Sequence, residues 1–77
     1  MRSYKINHVQ DGDGMARWEV TLFEGASEVD GAFYTYSTPE EGDSAREECE
    51  RAGQHWVEAG VNKFELYPRM FRQPQAR

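Results

Sequence analysis

The stretch 38-TPEEGDSAREECERAGQHWVEAG-60 contains the only cysteine, one of the two histidines and half of the acidic residues. Its reading decides the fold. Thr38, Pro39 and Glu41 have the spacing of a helix start: a hydroxyl cap, proline at the first helical position and an acid three residues after the cap. At about 100° per residue, Gly42, Ala45, Cys49, Ala52, Gly53, Trp56, Ala59 and Gly60 fall within roughly 120° of arc. Asp43, Glu47, Glu48, Arg51, His55 and Glu58 fill the opposite side. The spacing predicts one amphipathic helix, with Gly42 weakening its first turn and Gly60 ending it. Because the apolar stripe is mostly alanine, glycine and cysteine, such a helix can lie close to a sheet, with bulk supplied by Trp56 and the sheet's aromatics.

Upstream, "SYKINHV" alternates Tyr4, Ile6 and His8 with Ser3, Lys5 and Asn7, and "ARWEVTLF" alternates Ala16, Trp18, Val20 and Leu22 with Arg17, Glu19 and Thr21. Both read as strands with one buried face. A third stretch, "VDGAFYTYS", is aromatic and β-branched without clean alternation, so its register has to come from the turn before it. Gly25 and Ala26 make a two-residue connection, and glycine in first place suits a type II′ turn. That turn pairs Leu22 with Val29, Val20 with Gly31 and Trp18 with Phe33, which sends Tyr34 and Tyr36 to the outer face. The same parity rule, applied to the first hairpin, demands even residues opposite even ones if Ile6 is to be buried beside Trp18 and Val20. It therefore predicts a loop of three or five residues within "QDGDGM", with a left-handed glycine and a bulge.

After Gly60, "KFELY" alternates with Phe64 and Leu66 inward, and reads as a last strand stopped by Pro68. The expected fold class is α+β, in the order β-β-β-α-β: one mostly antiparallel sheet of three to four strands with a single helix packed on one face. The fourth strand would lie parallel to the third or beside the first. Residues 1–67 form the expected single domain, and 68–77 a basic, flexible tail.

Seventy-seven residues are too few for an enclosed active site and leave a small core in which every large side chain counts. One cysteine makes no internal disulfide, and "MRSYKINHVQDGDG" lacks the apolar run of a signal peptide, so the expected compartment is cytoplasmic. The formal charge of −5 is unevenly spread. All fourteen acids lie in residues 1–67 against six bases, a net of −8, while the tail holds Arg69, Arg72 and Arg77. An acidic body repels phosphate backbones and favours encounters with basic surfaces.

The chemistry-bearing residues do not assemble into a catalytic pattern. Cys49 and His55 are six apart, about 120° round a helix axis, too far for a nucleophile and its base. Cys49 reads as a buried small hydrophobe, and His55 as a solvated neighbour of Glu48, Arg51 and Glu58. "DGDG" fails as a calcium loop: with Asp11 in first place, the central glycine would be Ala16 and the closing acid Leu22. Too few soft ligands exist for zinc, and no Gly-rich turn with a lysine leads into a helix to hold phosphate. The expectation is a chain that is not an enzyme and takes no cofactor or metal.

What remains is surface. Residues 40–50, "EEGDSAREECE", carry six acids against Arg46 alone. Part of this serves the helix, since Glu40 and Glu41 favour its N-terminus and Glu47 with Arg51 has a stabilising spacing. The same row suits a solvated face that keeps a small protein soluble. It also suits a protein partner with a basic surface, one that ordinarily holds nucleic acid. On that reading Asp43, Glu47, Glu50 and Glu58 form the binding face. In size, charge and lack of a catalytic constellation, the chain is similar to phage-encoded inhibitors of bacterial defence enzymes, including anti-CRISPR proteins and DNA mimics. No motif underlies that similarity, and it assigns no residues.

The expected function is thus a small acidic protein-binding module, with an inhibitor of a nucleic-acid-handling complex as its sharper form. The alternative is a structural or assembly protein that forms a homodimer through its sheet, using Tyr34, Tyr36 or an edge strand. Nucleic acid stacking on those tyrosines is disfavoured by Glu19 and Asp30 nearby. The tail's arginines alone would give only weak, salt-sensitive contact with phosphate.

Overall fold

The computed structural model describes residues 1–10 and 16–66, the last two by backbone alone. Three antiparallel strands, β1 (Arg2–Gln10), β2 (Ala16–Glu24) and β3 (Ser27–Tyr36), form one sheet in the order β1-β2-β3. A 21-residue helix, α1 (Pro39–Ala59), packs on one face, and a single turn, α2 (Lys63–Leu66), follows it. The α+β arrangement expected from the sequence is therefore present with three strands. The expected last strand does not form over Lys63–Leu66. The Asn62 side chain accepts the Phe64 N–H at 2.9 Å and donates to Asp30 at 3.0 Å, which starts a helical turn and ties it to β3. Phe64 is nonetheless fully buried. The tail 68–77, and the turn glycines and bulge expected between Gln10 and Ala16, lie outside the described residues.

The first hairpin pairs even residues with even ones, as its alternation requires. Gln10 pairs with Ala16, leaving five residues between, and Ile6 faces Val20 while His8 faces Trp18. The second hairpin differs from expectation. Gly25 has φ +62, as its turn requires, and Glu24 pairs with Ser27, but the register shifts between Leu22 and Phe23. Leu22 then faces Asp30, Val20 faces Ala32 and Trp18 faces Tyr34. One extra residue in β3 turns every later side chain to the other face. Tyr34 and Tyr36 consequently point toward the helix side and not outward, and Phe33 takes the outer face, under the Arg17 guanidinium at 5.2 Å.

The core lies between sheet and helix: Val20, Leu22, Ala32, Cys49, Ala52, Trp56 and Phe64, flanked by Tyr4, Ile6, Trp18 and Tyr34. Each fully buried Val, Leu or Phe contributes about 1.5–3 kcal/mol of transfer free energy. The small-residue stripe does what its composition implies. A β-carbon on Gly53 would stand 2.2 Å from Cδ2 of Tyr4, and one on Gly42 would stand 2.7 Å from Cε2 of Tyr36, so two rings press directly on the helix backbone.

Candidate functional site

The acidic face of α1 is held by fixed helix ends. At the start, the Thr38 hydroxyl accepts the Glu41 N–H at 3.2 Å, and the Glu41 carboxylate accepts the Ser37 N–H at 3.0 Å. These bonds, that from the Ser37 backbone foremost, lower the Glu41 pKa. At the far end Gly60 takes φ +68, in the left-handed region that a side chain disfavours, and its N–H returns to the Trp56 carbonyl at 3.0 Å. No basic residue occupies the last turn of α1. Arg2 of β1 supplies that charge from across the sheet, donating to the Trp56 carbonyl at 2.8 Å and to that of Val57 at 3.5 Å. Trp56 in turn donates its indole N–H to the carbonyl of Phe23, at the bulge, at 2.8 Å.

On this frame Asp43, Glu47 and Glu58 are exposed and make no ion pair among the described residues. Glu50 is half-buried, 3.5 Å from Arg46. Glu48 is tied back by Arg51 at 2.7 Å and Lys63 at 3.2 Å, so it is not offered outward. Asp43, Glu47 and Glu58 thus share the outer side of α1, while Glu50 stands at its edge, sharing Arg46 with Trp18 of β2. The two candidate tyrosines do not join them on an outer sheet face. Tyr34 stands beside an open groove of about 390 Å³ between β3 and α1, lined also by Glu40, Glu41, Ser44, Ala45 and Glu48. Its hydroxyl is buried with no hydrogen-bond partner among the described residues, and burial raises its pKa.

Tyr36 belongs to a cluster that sequence reasoning missed. Its hydroxyl shares a hydrogen bond with Nε2 of His8, and the His8 ring stacks on Trp18 at 4.4 Å. The guanidinium of Arg46 lies 5.6 Å from the Trp18 ring centre. The even-to-even pairing of the first hairpin was the available signal, because it sets His8 opposite Trp18 at the end of the sheet where α1 begins.

Cys49 is fully buried, and its thiol is pushed up to about 12 by burial and then by Glu48, Glu19 and Glu50. His55 is exposed, on the other side of the helix from Cys49. Among the described residues, no group of three or more His, Cys, Asp or Glu comes together as a metal site, and no helix is long and apolar enough to cross a membrane. Comparison of the chain with known protein families, with curated proteins and with solved structures finds no match.

Proposed function

We propose that this chain is a non-enzymatic, cytoplasmic protein-binding module whose acidic helix face docks on a basic protein surface. The observation that supports this most directly is the row of exposed carboxylates on Asp43, Glu47 and Glu58, without ion pairs among the described residues, on a helix fixed at both ends. A row of like charges along one fixed helix steers a positive partner toward one orientation. A partner that normally holds nucleic acid presents such a surface, and covering it is how an anti-defence inhibitor of the anti-CRISPR kind would act without chemistry. The test is affinity capture from the native host's lysate with elution by a salt gradient, followed by binding of the captured partner to the Glu47→Lys/Glu50→Lys variant. Affinity that falls steeply with salt and is lost in the variant supports the reading. Unchanged affinity rejects this face.

A second reading, self-association through the sheet, is favoured by a different observation. Val9, Phe23 and Phe33 alternate onto the sheet face opposite α1, which no described element covers, and among the described residues β1 and β3 each pair on one side only. The tyrosines play no part in that version. Sedimentation at high concentration that shows monomer alone removes it.

A further inference from the structure

The contact of Arg46 with Trp18 and Glu50 extends the proposed function to a particular side chain of the partner. Arg46 places its guanidinium 5.6 Å from the Trp18 ring centre and 3.5 Å from a carboxylate oxygen of Glu50. An aromatic ring and a carboxylate that both reach one planar cation are the two elements of an arginine site: the ring attracts the guanidinium through its quadrupole, and the carboxylate receives its N–H groups. The Arg46 side chain is well exposed at 58%, and Glu50 is exposed at 41%. The pair is therefore of the weak, solvent-screened kind that a competitor can displace. Asp43 and Glu47, on the same side of α1, favour a positive competitor over a neutral one.

We infer that Trp18 and Glu50 form an arginine-binding site, occupied in the isolated chain by Arg46, and that an arginine of a basic partner takes Arg46's place. The His8 ring stacks on Trp18 at 4.4 Å and is hydrogen-bonded to the Tyr36 hydroxyl, so that Trp18 is positioned before the partner arrives. The inference rests on the acidic-face reading and predicts something that reading does not. Truncating a residue of the binding face should tighten binding.

The probes are a deca-arginine peptide and a deca-lysine peptide of the same charge, titrated into the full chain, its Arg46→Ala and Arg51→Ala variants, and the Arg46→Ala/Glu50→Gln double variant. Arg51 serves as control because it carries the same charge on the same helix but pairs with Glu48. Arg46→Ala should bind deca-arginine about three- to tenfold more tightly than Arg51→Ala does, the size of one cation–π and carboxylate contact. Deca-arginine should bind more tightly than deca-lysine, the double variant should lose the gain, and the Trp18 indole N–H signal should shift while that of Trp56 stays in place. Equal affinities for the two arginine variants, equal affinities for the two peptides, or a stationary Trp18 signal with shifts confined to Glu40, Ser44 and Glu48 would each overturn the site while leaving an acidic binding face. Absence of binding by every form at low salt would overturn the acidic-face reading as well.

Discussion

The ring of Tyr4 rests on the backbone of Gly53, so closely that a β-carbon there would sit 2.2 Å from one ring carbon and 2.3 Å from another. This contact sets the distance between β1 and α1. Gly53→Ala should therefore destabilise the fold by about 1–3 kcal/mol through overpacking, although alanine improves helix propensity by about 1 kcal/mol. Gly42→Ala meets the Tyr36 ring at 2.7 Å, a smaller overlap, and should cost less. Urea denaturation of both variants checks the order. Costs near zero for both would show that neither ring fixes the spacing.

Arg2 provides the positive charge that the last turn of α1 lacks. Arg2→Ala should cost about 1 kcal/mol, from a lost charge-assisted bond and a lost helix-end interaction. The loss should be local as well. Amide exchange at Gly60 and Val61, whose N–H groups return to Trp56 and His55, should accelerate, while exchange at Gly42, bonded to Thr38, stays as it is.

The buried thiol gives a chemical test of the helix orientation. With its pKa near 12, Cys49 should react with a thiol reagent at neutral pH at least about a hundredfold more slowly in the folded chain than in denaturant. Its folded pKa is raised above the ordinary 9.0, so its contribution to stability is fully present below pH 9 and declines as pH climbs toward 12, where only the unfolded chain readily ionises. Cys49→Ala should flatten that alkaline decline in a series of melting temperatures.

Glu41 works in the opposite direction. Accepting the Ser37 N–H lowers its folded pKa below the ordinary 4.5, so its contribution is present above that value and is lost as pH falls through the lowered one. Melting temperatures of the native chain and of Glu41→Gln should differ at neutral pH and converge on acidification. A gap that widens in acid would contradict the cap.

The helix and the first hairpin were legible because their signals are periodic. Thr38, Pro39, Glu41 and Gly60 mark the ends of α1, and Gly42, Ala45, Cys49, Ala52, Gly53 and Trp56 are its buried positions, as the stripe implied, while Ala59 of the same stripe is exposed. The register of β3 was not legible. Val29, Gly31 and Phe33 make as plausible an inner set as Ala32, Tyr34 and Tyr36, and a two-residue turn selects the first unless a bulge intervenes. The helix held the missing signal: glycines at 42 and 53 leave hollows that only rings fill, and Tyr36 is the ring that reaches Gly42. Phe64 was correctly read as buried, but alternation over so few residues could not distinguish a strand from one turn of helix begun by Asn62. The acids of α1 were placed by the same periodicity, whereas the His8, Trp18, Tyr36 and Arg46 cluster draws on four elements and needed the register first.

The single surplus residue of β3 also governs which changes of length the chain can absorb. Adding or removing two residues between Gln10 and Ala16 preserves the parity of the first hairpin, and deleting Val29 would remove the bulge while leaving Leu22 opposite Asp30, whereas deleting Gly31 would exchange the sides of everything from Ala32 to Tyr36. Phe33 would then be driven into alanine-sized space, and Gly42 would face a void. Insertions in pairs at the first bend and an unbroken residue count from Asp30 to Tyr36 are the mark by which distant kin of this chain could be recognised when their side chains have diverged.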